Sequence, residues 1–280
     1  MPVATQQELD TLVARRLDEG LLELPMLPSA MTQTLALCQS ESVDAQTLSA
    51  AIHRDPTLAA NVLKAANSAA FGLSSPCASL QQAVARLGLA RVAELALALC
   101  VRGTVFSDPS CRDALAQLWR HAALAACTAR EIARALRRNV ETAFLCGLLH
   151  DVGKAVLLTN LQRDLGQGSV ELPELAGVLH ARHESAGARL AAAWKLPDPV
   201  AVAVAFHHEP ERATVHAPFA AIACLADLLA HLVDAEEGAE LLADAVRRHP
   251  AVAMLNVYPD QLQSLFVLAT KARAAAECLA

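Results

Sequence analysis

The segment FLCGLLHDVGKAVLL, residues 144–158, places the tightest constraint on how this chain can fold. It is apolar enough to demand a place in a core, yet it carries His150, Asp151 and Lys154. Burying an unpaired ionised group costs on the order of several kcal/mol, so such side chains persist in a core when they are paired or bound to a metal. On a helix, adjacent residues project about 100° apart, so His150 and Asp151 can meet one ion only if other segments supply the remaining ligands. The fold must therefore carry polar side chains from distant stretches of the chain to this segment.

Those stretches read as helices. Apolar residues make up 54% of the 280, but aromatics only 3%, and Ala and Leu dominate; strands draw instead on β-branched and aromatic side chains. No period-two pattern survives anywhere, so the expected class is all-α, a multi-helix bundle. Residues 1–24 read as one amphipathic helix, with Leu9, Leu12, Val13 and Leu17 at helical spacing. Pro25 and Pro28 break it, and shorter helices follow at 30–39, 44–53, 56–67, 80–87 and 90–101. Asp55-Pro56 is a helix start with a capping side chain and Pro at the first helical position. The polar stretch SDPSCRD (107–113) is the best interior boundary. Beyond it come helices at 113–138, 141–159, 172–180, 184–195, 199–208, 217–233 and 259–279. The expected organisation is an N-terminal helix (1–24), a domain over 25–235 with lobes at 25–110 and 111–235, and a helical tail (236–280) packed on that domain.

Several classes of function are disfavoured. A net charge of −6 does not suit a general nucleic-acid surface, and Arg134, Arg137 and Arg138 read as the solvated end of a helix. The longest uncharged runs, such as 95–101 and 199–206, fall short of the ~20 residues a membrane span needs, so no membrane role is expected. The polar N-terminus does not suit a signal peptide, and the cytoplasm is the expected compartment. Eight cysteines include no C-x-x-C pair; Cys100, Cys127, Cys146 and Cys224 read as free buried thiols. No Cys-His or Ser-His spacing suggests a side-chain nucleophile.

Candidate partners for His150 and Asp151 are present. His121 lies mid-helix in LWRHAALAA, His183 heads HESAGARLAAAW, His207 and His208 end PVAVAVAFHHEP, and Asp227 is embedded in AAIACLADLLAHL. Each has a plainer reading. A lone helical histidine is usually hydrogen-bonded or on the surface, the His-His pair suits a helix C-terminus, and Asp227 could pair with Lys154 or an arginine. Their joint occurrence favours a site. Imidazole with carboxylate suits a divalent transition metal, Fe, Mn, Ni or Zn; the missing thiolate spacing argues against a structural zinc ribbon.

The order His…His-Asp…His…His-His…Asp resembles that of HD-superfamily phosphohydrolases, including the HD-GYP cyclic di-GMP phosphodiesterases. LPMLPSAM, IHRDPTLAANVLKAANSAAFG, SLQQAVARLGLARVAELALA and AAAWKLPDPVAVAVAFHHEP are similar to the hallmarks of a narrower family, the HDOD (HD-related output) domains, over roughly residues 20–235. The resemblance implies an all-helical bacterial signalling module, often joined to receiver or GGDEF-type domains, in which many members have lost metal ligands. Here the series is intact. By motif, His121, His150, Asp151 and Asp227 would hold one metal; Asp151 would bridge to a second, held also by His183, His207 and His208. Lys154, from the HD-x-GK turn, would face a substrate phosphate. Two departures run the other way: no GYP signature follows His-His-Glu, and Gln117 stands where some trimetal relatives have a glutamate.

Two functions compete. One is a signal-transduction output module with a structural, vestigial or regulatory metal site, whose partners are signalling proteins or a small phosphorylated ligand, with a homodimer allowed. The other is a metal-dependent phosphohydrolase or phosphodiesterase acting on a nucleotide or cyclic dinucleotide, with Asp151 and Lys154 as its catalytic residues. The N-terminal lobe favours the first, since Asp55, Asn67 and Ser68 form no catalytic set, and Asn67-Ser68 reads as a helix end.

Overall fold

A computed structural model describes residues 6–27, 32, 44–68, 71, 75–165, 172–235 and 237–279. Among them every regular element is a helix. The helices are α1 (Gln6–Asp18), α2 (Ala45–His53), α3 (Pro56–Ala66), α4 (Leu80–Leu87), α5 (Leu89–Val105), α6 (Arg112–Ala135) and α7 (Val140–Leu149). They continue as α8 (Val152–Leu165), α9 (Leu172–Ala193), α10 (Asp198–Phe206), α11 (Ala217–Asp234), α12 (Ala239–Arg248), α13 (Pro250–Met254) and α14 (Pro259–Glu277). The helix expected at 30–39 falls outside the described residues.

Local chemistry sets the boundaries. Asp55 caps α3 by accepting from the N–H groups of Thr57 and Leu58, and Asp44 caps α2 through Thr47. Asn67 closes α3, and its side chain then clamps the backbone of Cys77 from both sides (2.6 and 3.0 Å), which makes it structural as read. Pro109 opens a short 3-10 turn, Pro109–Cys111, inside the polar stretch at 107–113.

Three boundaries differ from the sequence reading. α1 stops at Asp18 instead of 24, because Gly20 takes a left-handed conformation (φ 69°). Residues 19–27 then run as a strap over α8 and α9: Asn160 both accepts from Glu23 N–H and donates to its carbonyl, and Trp194 donates to the Pro25 carbonyl. Residues 172–180 and 184–195 belong to one helix, α9, since nothing in Ala181-Arg182-His183 interrupts the ladder. The single helix expected at 141–159 is divided at His150-Asp151. Lys154 N–H bonds to the Asp151 carbonyl three residues back (2.9 Å), a one-turn tightening, while His150 keeps helical dihedrals. The helical tail expected at 236–280 also contains two shorter helices, α12 and α13, ahead of α14.

One buried apolar cluster runs through both lobes, from Leu9 and Leu48 to Val204, so the stretch at 107–113 does not divide the core. A second cluster joins α11–α14 to α6 and α7. The described cysteines are free thiols, and Cys77, Cys100, Cys111, Cys127, Cys146 and Cys224 are buried, as expected. Val140–Leu165 and Ala217–Asp234 are long and apolar enough to cross a membrane, which a count of uncharged runs misses because Asp151 and Asp227 interrupt them. They are 83% and 56% buried over the apolar window, as core helices are.

Glycines set how closely the helices around the site approach. A Cβ at Gly147 would lie 2.6 Å from the Ala125 carbonyl oxygen, so α7 crosses α6 backbone to backbone. A Cβ at Gly153 would overlap the His183 carbonyl and lie 2.7 Å from Gly187 N; one at Gly187 would lie 2.6 Å from Val204 Cγ1. These crossings bring α6, α9 and α10 to the His150-Asp151 junction.

Candidate metal centre

Asp151 stands at the middle, 4% exposed, with each carboxylate oxygen facing a different set of imidazoles. Oδ1 lies 3.3 Å from His183 Nε2 and 3.6 Å from His207 Nε2. Oδ2 lies 3.4 Å from His150 Nε2, 3.9 Å from His121 Nε2 and 2.5 Å from Lys154 Nζ. Asp227, from the middle of α11, places Oδ1 2.8 Å from His121 Nε2 and 3.5 Å from His150 Nε2. His208 completes the far side, 3.1 Å from His183.

Among the described residues these side chains form two groups whose ligand atoms all lie within 4.8 Å of one another: His121, His150, Asp151, Asp227, and Asp151, His183, His207, His208. The structure thus assembles every candidate ligand read from the sequence, with Asp151 common to both groups. Lys154, expected to face a phosphate, is paired with Asp151.

The donor atoms are presented in the form a metal requires. His150 Nδ1 contacts the Gly147 carbonyl at 2.8 Å, His183 Nδ1 those of Leu179 and His180 at 2.9 and 2.8 Å, and His207 Nδ1 that of Val204 at 3.3 Å. A ring nitrogen facing a carbonyl must carry the hydrogen, so in a neutral ring the lone pair sits on Nε2, aimed inward. His183 Nε2 then lies 3.2 Å from His207 Nε2 and 3.1 Å from His208 Nε2. Burial drives the His183 pKa down to about 3 and that of His208 to about 4, so at neutral pH protons do not relieve these contacts. His150 Nε2 and Asp151 Oδ1, one from each face of the junction, are buried without a hydrogen-bond partner. A cation between these atoms satisfies all of them, and the residues fit a metal.

The electrostatics agree. Burial opposes a charge on His150, but Asp151 and Asp227 outweigh it and hold its pKa at about 10. Burial likewise works to raise both aspartates, and the surrounding imidazoles, with Lys154 beside Asp151, hold them well below the ordinary carboxylate range. The two buried carboxylates make a place for positive charge, which the His150 proton supplies in the metal-free protein and which an ion displacing that proton would supply in its stead.

Three neighbours escaped the sequence reading. His231 places Nε2 3.3 Å from Asp227 Oδ1 and stacks on His121, with ring centroids 4.4 Å apart. His180 packs edge-on against His208 at 5.0 Å. Glu184 accepts from His208 N–H at 3.1 Å and lies 3.6 Å from His207 Nδ1, orienting the His-His pair. Helical spacing carried the signal for the first two: His231 is one turn beyond Asp227, and His180 one turn before His183.

The chain matches the HDOD domain family over residues 24–210. It belongs to the HDOD family. The matched span of this HDOD chain holds His121 through His208; Asp227 and α12–α14 lie beyond it. Over 241 residues the chain is 27% identical to an uncharacterized protein of Treponema pallidum, covering 82% of this chain and 46% of the other, so it spans about half the length of that relative. Among solved structures, an HDOD domain protein of unknown function from Geobacter sulfurreducens superposes with a TM-score of 0.72 at 22% identity, covering 98% of this chain and 99% of that one. A candidate metal-dependent phosphohydrolase from Shewanella amazonensis gives 0.69 at 19% identity, covering 96% and 98%. A candidate signal-transduction protein from Marinobacter aquaeolei gives 0.66 at 21%, covering 99% and 67%. At these identities the shared property is the fold.

Proposed function

We propose that this HDOD chain is a signal-transduction output module built around a dinuclear metal centre. The observation that carries the reading is Asp151, whose two oxygens face two separate, complete donor groups. Asp151 is the bridging ligand; His121, His150 and Asp227 hold one ion, and His183, His207 and His208 the other. Fe, Mn, Ni and Zn all suit imidazole with carboxylate, and a hard-oxygen ion such as Mg does not. Its partners are signalling proteins or a small phosphorylated ligand, and it works without membrane insertion.

A second reading, a phosphohydrolase or phosphodiesterase, is favoured by Lys154, which is 18% exposed at the side chain and can turn from Asp151 to a phosphate. A loaded centre would supply positive charge that polarises a phosphoryl group and acidifies water. The chain's own contribution is to hold the imidazoles with Nε2 inward, to keep His150, His183 and His207 from solvent, and to offer Lys154 to non-bridging oxygens.

Elemental analysis of protein purified anaerobically should give close to two equivalents of transition metal, and Asp151→Ala should abolish both. Protein that refuses metal under reducing, anaerobic loading sinks the dinuclear reading. Loaded protein is then offered cyclic dinucleotides, nucleotides and generic phosphodiesters; turnover on one, lost in Asp151→Ala, establishes the hydrolase, and no turnover leaves the output module.

A further inference from the structure

Several arginines in this acidic chain stand against carboxylates, as Arg91 does with Glu94, Arg182 with Asp10 and Arg273 with Asp234. One cavity reverses that pattern. It has a volume of about 560 Å³ and lies where α3, α5, the start of α6 and the end of α14 come together, and it shares no lining residue with the metal centre. Lys64 from α3, Arg102 from α5 and Arg112 from α6 line it. Among the described residues none of the three makes an ion pair; Arg102 alone is held, donating to the Leu279 carbonyl at 3.1 Å. α6 also begins here without a side-chain cap, its first turn carrying Arg112 and Asp113.

The rest of the lining narrows the ligand. Leu99 and Phe106 give an apolar wall, and Phe106 is backed by Trp119 with ring centroids 5.3 Å apart. Glu277 adds one carboxylate. Three cations against one carboxylate ask for an anion, the apolar wall for a ring, and the lone carboxylate for a hydroxyl or amino group to accept from. The volume lies in the range of small-molecule sites. Lys64 and Ser68 belong to the segment IHRDPTLAANVLKAANSAAFG, which the metal centre leaves without a role.

We propose that this cleft is a nucleotide-binding site, with Lys64, Arg102 and Arg112 on the phosphates and the base against Leu99 and Phe106. It gives the seam between the N-terminal lobe, α6 and α14 a ligand of its own, separate from anything the metal centre binds. The test uses the full chain, metal-chelated, titrated with N-methylanthraniloyl ADP and followed by fluorescence. The expected Kd is on the order of 10–100 μM. Lys64→Glu combined with Arg112→Glu should weaken it by more than roughly tenfold. Both residues are exposed, so the melting curve should be unchanged. Gly103→Trp, at a position where a Cβ meets nothing within 4 Å, should block the cleft sterically and give the same loss without touching a charge. Asp151→Ala should bind the probe as wild type does. Absence of binding at about 1 mM probe overturns the proposal. So does a loss confined to Asp151→Ala, which would put the nucleotide at the metal centre. Competition by inorganic pyrophosphate as strong as by ADP overturns the assignment to nucleotides.

Discussion

Gly153→Ala tests whether backbone contact between α8 and α9 is what builds the second half of the metal centre. The added Cβ would overlap the carbonyl oxygen of His183 and lie 2.7 Å from Gly187 N. Neither neighbour is a side chain that can rotate away, so one helix must move by about 1 Å to restore van der Waals contact. Overpacking of this kind costs about 1–3 kcal/mol, and for a chain of this size 1 kcal/mol lowers Tm by about 2–4 °C; a fall of roughly 2–12 °C is expected. His183 rides on the displaced helix, so the group it forms with His207 and His208 should lose its ion, while that of His121, His150 and Asp227 keeps its own. Metal content should drop from two equivalents to one. Gly103→Ala is the control: its Cβ meets nothing within 4 Å, and removing a helical glycine should stabilise by up to about 1 kcal/mol. A Gly153→Ala protein with unchanged Tm and full metal content would refute the reasoning.

Three other substitutions read separate regions of the structure. Glu94, buried on α5 beside Arg91 and Arg130, has its pKa raised from 4.5 to about 7, mainly by burial. A raised carboxylate pKa means the folded state holds the proton longer than the unfolded one, so stability falls as pH rises from 4.5 to about 7. Glu94→Gln removes that slope, and denaturant titrations across this window should show the variant gaining up to about 3 kcal/mol on wild type. Asn160→Ala frees the strap at 19–27 by removing both bonds to Glu23; a loss of about 1–3 kcal/mol and proteolytic cleavage in the strap are expected, with metal content unchanged. Glu184→Ala should weaken metal binding at the His183, His207 and His208 group about tenfold or more, read by chelator competition, and leave the other group as it is.

Much of this was legible in the sequence because burial and polarity conflict there. His150, Asp151 and Asp227 sit in runs that only a core can hold, and a conflict of that kind points to its own resolution. The helices of the N-terminal lobe followed from caps and prolines, as at Asp55-Pro56. What could not be read was geometry set by backbone proximity. Gly147, Gly153 and Gly187 look like weak points in helices, and only the crossings show that they let helices touch. The break at His150-Asp151 left no trace in the periodicity because His150 keeps helical dihedrals. Glu184, on a half-exposed turn of α9, has nothing unusual about it until the His-His pair arrives from α10.

The ligands come from α6, the α7–α8 junction, α9, the end of α10 and α11, and their positions are fixed by apolar packing that contains no ligand atom. Metal should therefore stabilise a fold that already exists, unlike a zinc finger, whose fold is created by its ion. Chelated protein should keep its helical far-UV spectrum, with repulsion among the Nε2 atoms of His183, His207 and His208 left uncompensated. Each ion present at about a hundredfold excess over its Kd adds about 2.7 kcal/mol, so loading both should raise Tm by roughly 10–20 °C. Two outcomes would break this account. Loss of the helical spectrum on chelation would mean that the ions hold the helices together. A Tm indifferent to loading would mean that the pocket among the imidazoles does not bind metal at all.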